Sequence, residues 1–73
     1  MTIGLKIELL RKSRGLTQEE LAAILGVSRQ TVYKWEQNLA VPTLDKIKLI
    51  TDYFIISYDD LLNDNKVIEL VIR

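Results

Sequence analysis

The chain has 73 residues, enough for one small domain with a single hydrophobic core, and a core of that size gains stability from dimerisation. Its apolar fraction of 48% excludes a disordered chain, and the absence of cysteine and histidine excludes disulfides, thiolate metal sites and histidine-based catalysis. The net charge is zero, but residues 1–40 carry six basic and four acidic side chains and residues 41–73 carry four and six, which suits either an anionic partner on one side or a mixed solvated surface.

The sequence contains no internal repeat and no linker, so we expect residues 1–65 to form one domain, followed by a tail of different character at residues 66–73. No stretch approaches the roughly 20 apolar residues of a membrane span, and the N-terminus does not resemble a signal peptide. We therefore expect no membrane association and a cytoplasmic location.

Two helices are predicted in the first third of the chain. The first runs from about Thr2 to Arg14 and ends before Gly15, a residue suited to the left-handed turn after a helix. Its apolar side is formed by Leu5, Ile7, Leu9 and Leu10. The second begins at Thr17, which forms a capping box with Glu20, and extends to Leu25 before Gly26.

A third helix follows after the short stretch "LGVS", and Ser28 is its predicted N-cap. Two short helices joined by a tight turn with one glycine are typical of a helix-turn-helix. Thr43 is the predicted cap of a fourth helix over Leu44 to Phe54, whose apolar face contains Ile47, Ile50 and Phe54 with Leu44 and Tyr53 beside it. Ser57 caps a short fifth helix that extends through Leu62.

The tail "KVIELVIR" is rich in β-branched residues, and Ile68, Leu70 and Ile72 alternate along it. This pattern favours a β-strand over a helix, which remains the alternative. A lone strand leaves its backbone groups unpaired, so we expect it to pair with the same strand of a second copy. The sequence thus predicts an all-α domain with a short C-terminal strand that acts as a dimerisation element.

The third helix separates its side chains onto two sides. Val32 and Trp35 lie three residues apart and point toward the core. The opposite side carries five polar or aromatic residues at helical spacing, namely Arg29, Gln30, Tyr33, Lys34 and Gln37.

These residue types suit a helix that enters the major groove of DNA. Arg pairs with a guanine edge and Gln with an adenine edge, each through two hydrogen bonds. Lys binds guanine or phosphate, and Tyr contacts phosphate or a thymine methyl group. Exposed Arg, Gln and Lys are also common on any solvated helix, so it is the two capped helices and the glycine turn that favour DNA binding. We predict base contacts from Arg29, Gln30, Tyr33 and Lys34.

The stretch "LRKSRGLTQEELAAILGVSRQTVYKWEQ", continued by "VPTLDKIKLITDYF" and "SYDDLL", resembles the lambda-repressor and Cro-like helix-turn-helix family of bacterial and phage regulators. The resemblance covers about residues 3–62. It implies a compact bundle of five helices with the third as the recognition helix. Residues expected to contact phosphate are Gln18, Ser28, Thr31, Gln37 and Asn38. For Gln18 the alternative is a solvated first-turn residue, and for Thr31 it is a residue that only closes the first turn.

Three residues are expected to be structural by the same resemblance. Arg11 and Glu36 match an arginine and a glutamate that usually form an ion pair between the first and third helices, and we predict that pair here. Its loss would tilt the recognition helix. Trp35 is expected to belong to the core and not to stack on a base.

The loop after the third helix departs from the family pattern. It lacks the usual Asn-Gly followed by basic residues, which predicts fewer phosphate contacts, although Asn38 tolerates left-handed geometry. The apolar run Leu39-Ala40-Val41 predicts an exposed patch for a partner protein. Ile55 replaces the glycine common after the fourth helix, so we expect that junction to be rebuilt.

The sequence therefore predicts a sequence-specific DNA-binding transcription regulator, in particular a repressor that binds a pseudo-palindromic operator as a homodimer. No cofactor, metal or small-molecule ligand is expected. The alternative is a protein-interaction module, such as an antitoxin-like partner of a second protein. An enzyme is disfavoured, because the paired carboxylates Glu19 and Glu20 fit helix capping and the chain is small for a deep pocket.

Overall fold

The computed structural model describes residues 1–68, and all regular secondary structure within that range is α-helical. Five helices follow one another in the order that the sequence predicts, and the third packs against both the first and the second. Their bounds are α1 (Ile3–Ser13), α2 (Gln18–Leu25), α3 (Arg29–Glu36), α4 (Leu44–Phe54) and α5 (Tyr58–Leu62).

Hydroxyl side chains begin most of these helices, as predicted. Thr17 and Ser57 each form a capping box, and Ser28 accepts a hydrogen bond from the third backbone N–H of α3. Thr43 precedes α4 as predicted, but its side chain makes no cap hydrogen bond to the backbone. Its hydroxyl donates instead to the carboxylate of Asp45, which lies in the first turn.

Two helix junctions need a left-handed residue that is not glycine. The predicted glycines Gly15 and Gly26 have φ values of 67° and 70°, but Asn38 and Ile55 also lie in this region, at 58° and 57°. Asn tolerates the conformation, whereas a β-branched side chain does not adopt it readily. The expectation that the junction after α4 is rebuilt is wrong, because Ile55 keeps the left-handed geometry at the expected glycine position. Its side chain is 84% exposed.

The core lies between all five helices. Its buried apolar residues are Ile7, Leu10, Leu21, Ala22, Leu25, Val32, Trp35, Ile47, Ile50, Phe54 and Leu61. The prediction that Leu5 contributes to the apolar side of α1 is wrong, because Leu5 is 42% exposed. It lies two residues before Ile7, a rotation of about 200° around the helix axis. Leu44 is also exposed and lines a shallow apolar depression with Tyr58.

Lys6 is buried in α1 and joins it to the end of α5. Its ammonium group donates to the backbone oxygens of Asp60, at 2.7 Å, and Asn63, at 2.6 Å. A cation at the carboxyl end of a helix is stabilised by the free carbonyl groups there. These two hydrogen bonds satisfy a charged group that would otherwise be costly to bury.

The predicted C-terminal strand is not supported. Its first residues, Lys66 to Ile68, have no regular secondary structure, and Ile68 packs against the hydrophobic core of its own chain. The remainder of the predicted strand, residues 69–73, lies outside the described residues.

Candidate nucleic-acid interface

One side of helix α3 is buried in the core, and the opposite side is exposed. Ser28 Oγ accepts a hydrogen bond from the backbone N–H of Thr31 at 3.1 Å, which fixes the start of the helix. Val32 is fully buried and Trp35 is 4% exposed, so the indole ring belongs to the core as predicted. An eight-residue helix is marginal by itself in water, and its orientation therefore depends on this packing.

The opposite side of α3 carries the side chains predicted to read bases. Arg29, Gln30, Tyr33 and Lys34 are all exposed, and the first three line one shallow depression of the surface. Gln37 follows at the C-cap and is exposed as well. The structure thus brings together, on one accessible surface, a guanidinium, a carboxamide, a phenol and an ammonium group.

Two predicted phosphate contacts lie at the start of this helix. The hydroxyl groups of Ser28 and Thr31 are 3.0 Å apart and share a hydrogen bond. These hydrogen bonds between Ser28 and Thr31 close the first turn of α3. Ser28 is exposed and Thr31 is half-buried, so part of the Thr31 side chain remains accessible. Both alternatives considered for Thr31 are compatible with this geometry.

Gln18 begins α2 and is half-buried, which differs from a fully solvated first-turn residue. Its Nε2 donates to Glu36 Oε1 at 3.0 Å. This hydrogen bond joins the first residue of α2 to the last residue of α3. Sequence reasoning missed it, because no local spacing relates two residues that lie eighteen positions apart.

The predicted ion pair between α1 and α3 is present. Arg11 Nε and Nη2 donate to the two carboxylate oxygens of Glu36 at 2.7 and 3.0 Å, and Arg11 Nη1 donates to the backbone oxygen of Leu16 at 2.8 Å. Both side chains are buried. The hydrogen bond with Glu36 raises the pKa of Arg11, while burial opposes that shift. Arginine suits this site because its planar fork matches the two carboxylate oxygens.

Asn38 has a structural role that the sequence prediction did not include. Its Oδ1 accepts from the backbone N–H of Gly4, and its Nδ2 donates to Thr2 Oγ1, both at 3.0 Å. The side chain therefore ties the turn after α3 to the start of α1. The sequence feature that could have indicated this contact is Gly4 in the first turn of α1, because a glycine inside a helix often marks the close approach of another backbone.

Gly4 permits that approach. A Cβ atom at this position would overlap the backbone oxygen of Trp35 and lie 2.8 Å from that of Glu36. The carboxyl end of α3 thus rests directly on the backbone of α1. Together with the ion pair, this contact fixes the direction in which the exposed side of α3 faces.

Residues 1–68 contain neither a helix that could span a membrane nor a cluster of metal-ligating side chains. No helix in that range is both long enough and apolar enough to cross a membrane. In the same part of the chain, no cluster of histidine, cysteine and acidic residues could hold a metal ion.

A family model described as helix-turn-helix matches residues 7–61. Among solved structures, the chain is similar to the P22 c2 repressor protein in complex with synthetic operator 9T, with a TM-score of 0.82 and 25% sequence identity. The similarity covers 89% of this chain and 98% of the repressor chain.

Two curated relatives are similar in sequence over nearly the whole chain. The HTH-type transcriptional activator BcrR of Enterococcus faecalis is 37% identical over 96% of this chain. The antitoxin PezA of Streptococcus pneumoniae is 35% identical over 94% of it. The chain spans only 34% and 44% of the length of these two proteins, respectively.

Proposed function

Because the chain belongs to the lambda-repressor-like helix-turn-helix family, we propose that it is a sequence-specific DNA-binding transcription regulator that reads the major groove with α3. The observation that best supports the proposal is that α3 has one side buried in the core and the opposite side exposed. Val32 and Trp35 are buried, and the side chains able to pair with base edges face away from the core. The major groove of B-DNA admits an α-helix, and side chains on its outer side can then reach the base edges.

The division of contacts follows from position and chemistry. Arg29, Gln30, Tyr33 and Lys34 are assigned to base edges. Contacts with the phosphate backbone are assigned to Gln18, Ser28, Thr31 and Gln37. Asn38 is assigned to phosphate as well. Its amide nitrogen carries two hydrogens, and the hydrogen bond to Thr2 uses one of them.

The regulator is proposed to act as a homodimer on a pseudo-palindromic operator. One short helix offers only a few base contacts, and two copies with recognition helices about 34 Å apart increase both affinity and specificity. The similarity to a repressor that was solved in complex with a synthetic operator supports operator DNA as the ligand. Repression then follows from occupation of promoter DNA. Sedimentation of the chain with and without operator tests the stoichiometry, and a single copy on each operator would contradict it.

The decisive experiment is an unbiased selection of bound DNA sequences with the purified chain. We expect a motif with two related half-sites about one helical turn apart, and a salt dependence that reflects phosphate contacts. Lys34→Ala is expected to weaken binding, whereas Lys48→Ala, which removes the same charge from an exposed site on α4, serves as the matched control. Recovery of no enriched sequence would contradict the proposed function.

A second candidate is an interaction module that binds a partner protein, as an antitoxin does. Two observations favour it: the similarity to PezA, and the 70% exposure of both Leu39 and Val41 in the loop after α3. The wild-type chain and a Leu39→Ser/Val41→Ser variant, each used to capture proteins from native extract, test it. A stoichiometric partner retained only by the wild type supports this role, and DNA selection by both chains without such a partner supports regulation alone.

A further inference from the structure

Glu36 accepts a hydrogen bond from Gln18 in addition to those from its ion-pair partner Arg11. Its carboxylate is almost completely buried, with 1% of the side chain exposed. Both oxygens already accept from Arg11, and Oε1 also accepts from Gln18 Nε2. Glu36 therefore joins three helices: Arg11 belongs to α1, Gln18 to α2, and Glu36 itself ends α3.

This third hydrogen bond fixes the orientation of the Gln18 carboxamide. A carboxamide nitrogen carries two hydrogens in one plane, and one of them is donated to Glu36. The direction of the second N–H is then set by the first. A free glutamine side chain would have to give up its rotamer freedom on binding, whereas this one is already ordered.

Arg11 makes a carboxylate acceptable beside a phosphate. An unpaired carboxylate one side chain away from a phosphate group would repel it, particularly in surroundings with little water. The two hydrogen bonds from Arg11 pair the charge of Glu36 within the protein. The carboxylate can thus hold Gln18 without opposing the approach of DNA.

We propose that Glu36 is a positioning residue for DNA binding, which orients the Gln18 carboxamide toward a backbone phosphate while Arg11 pairs its charge. The proposal rests on the proposed function, because it needs Gln18 to contact phosphate. It assigns to the ion pair a role in affinity in addition to its role in joining α1 to α3.

A double-mutant cycle on operator affinity tests the proposal. Gln18→Ala is compared in the wild type and in an Arg11→Met/Glu36→Met background, which removes the positioning carboxylate without leaving either charge unpaired. We expect Gln18→Ala to weaken binding about five- to tenfold in the wild type, the scale of one ordered side chain, and about twofold or less in the Met/Met background. Equal losses in both backgrounds would overturn the proposal, as would no loss in the wild type.

Gln37→Ala is the matched control, because Gln37 has the same side chain and is also assigned to phosphate. It lies next to Glu36 in sequence, but its backbone N–H bonds to α3 itself. Its loss in affinity is expected to be the same in both backgrounds. All affinities are measured at a temperature at which thermal melting shows each variant to be folded.

If the Met/Met background does not fold, side-chain amide resonances of the wild type answer the same question. The two Nε2 protons of Gln18 are assigned by their loss in Gln18→Ala and followed as operator DNA is added. We expect the proton bonded to Glu36 to keep its shift and the other to move. Movement of both protons, or of neither, contradicts the proposal, whereas failure of the wild type to select any DNA would contradict the proposed function itself.

Discussion

The two parts of α3 differ in what surrounds them. Its first turns expose Arg29, Gln30 and Tyr33, whereas its last turn is held by a buried ion pair at Glu36 and by the backbone of Gly4. A helix of eight residues is marginal by itself, so the exposed side chains of its first turns can face DNA only because packing at its last turn holds the helix in place. Substitutions in the two parts are therefore expected to change different measurements.

The largest effect is expected from leaving one partner of the buried ion pair alone. Arg11→Met leaves the Glu36 carboxylate buried without its cation, and such changes destabilise by about 3–5 kcal/mol. Arg11→Met/Glu36→Met is expected to recover most of this loss, because an apolar pair of similar volume replaces the ion pair. Urea denaturation of the single and double variants measures both values. A single variant as stable as the wild type would contradict the importance of this support.

A second effect on the supported end is expected at Gly4. Alanine normally improves a helix position relative to glycine by about 1 kcal/mol. Here its Cβ would overlap the backbone oxygen of Trp35, and backbone cannot rotate away as a side chain can. We expect Gly4→Ala to lower the free energy of unfolding by about 1–3 kcal/mol. Gly15→Ala is the control, since a Cβ there meets no atom within 4 Å and only the left-handed φ of 67° opposes it.

Substitutions in the exposed first turns of α3 are expected to change DNA recognition and to leave stability nearly unchanged. Arg29→Ala or Gln30→Ala should each reduce base discrimination by about 1–3 kcal/mol at one operator position. Both side chains are exposed, so the free energy of unfolding should change little. Repeating the DNA selection with each variant measures the discrimination, and thermal melting measures the stability. Unchanged base preference in both variants would show that this side of α3 does not read the operator.

The helix starts could be predicted from the sequence, because a capping residue and its partner lie only a few positions apart. Thr17 with Glu20 and Ser28 before α3 are recognised from neighbouring residues, and the structure places the caps there. The ion pair of Arg11 and Glu36 was predicted from the resemblance, and it is present.

The features that were missed depend on distant parts of the chain. The hydrogen bond between Gln18 and Glu36 is set by the packing of whole helices, so no spacing along the sequence indicates it. The hydrogen bonds of Asn38 to Gly4 and Thr2 are of the same kind. The start of the tail is a related case. Alternation of apolar residues predicted a strand, but residues 66–68 have no regular secondary structure, and Ile68 packs against a core whose position only the fold determines.

The smallest effect is expected from lowering the pH. Acid should weaken the N-terminal cap of α2, which contains a carboxylate, but not the cap of α3. The backbone and hydroxyl hydrogen bonds of Thr17 lower the pKa of Glu20 below its ordinary value of 4.5, whereas the Ser28 cap contains no titratable group. Because the folded pKa is the lower one, this stabilisation is present above about pH 4.5 and is lost as the pH falls through the folded pKa. Glu20→Gln keeps an acceptor oxygen without the charge. The melting temperatures of the wild type and Glu20→Gln should therefore differ at about pH 7 and converge as the pH falls through the folded pKa of Glu20. The carboxylates of Asp45, Asp59 and Asp60, whose pKa values are also lowered, lower the stability of both chains alike in acid. A difference that stays constant with pH would mean that the charge of Glu20 does not stabilise the start of α2.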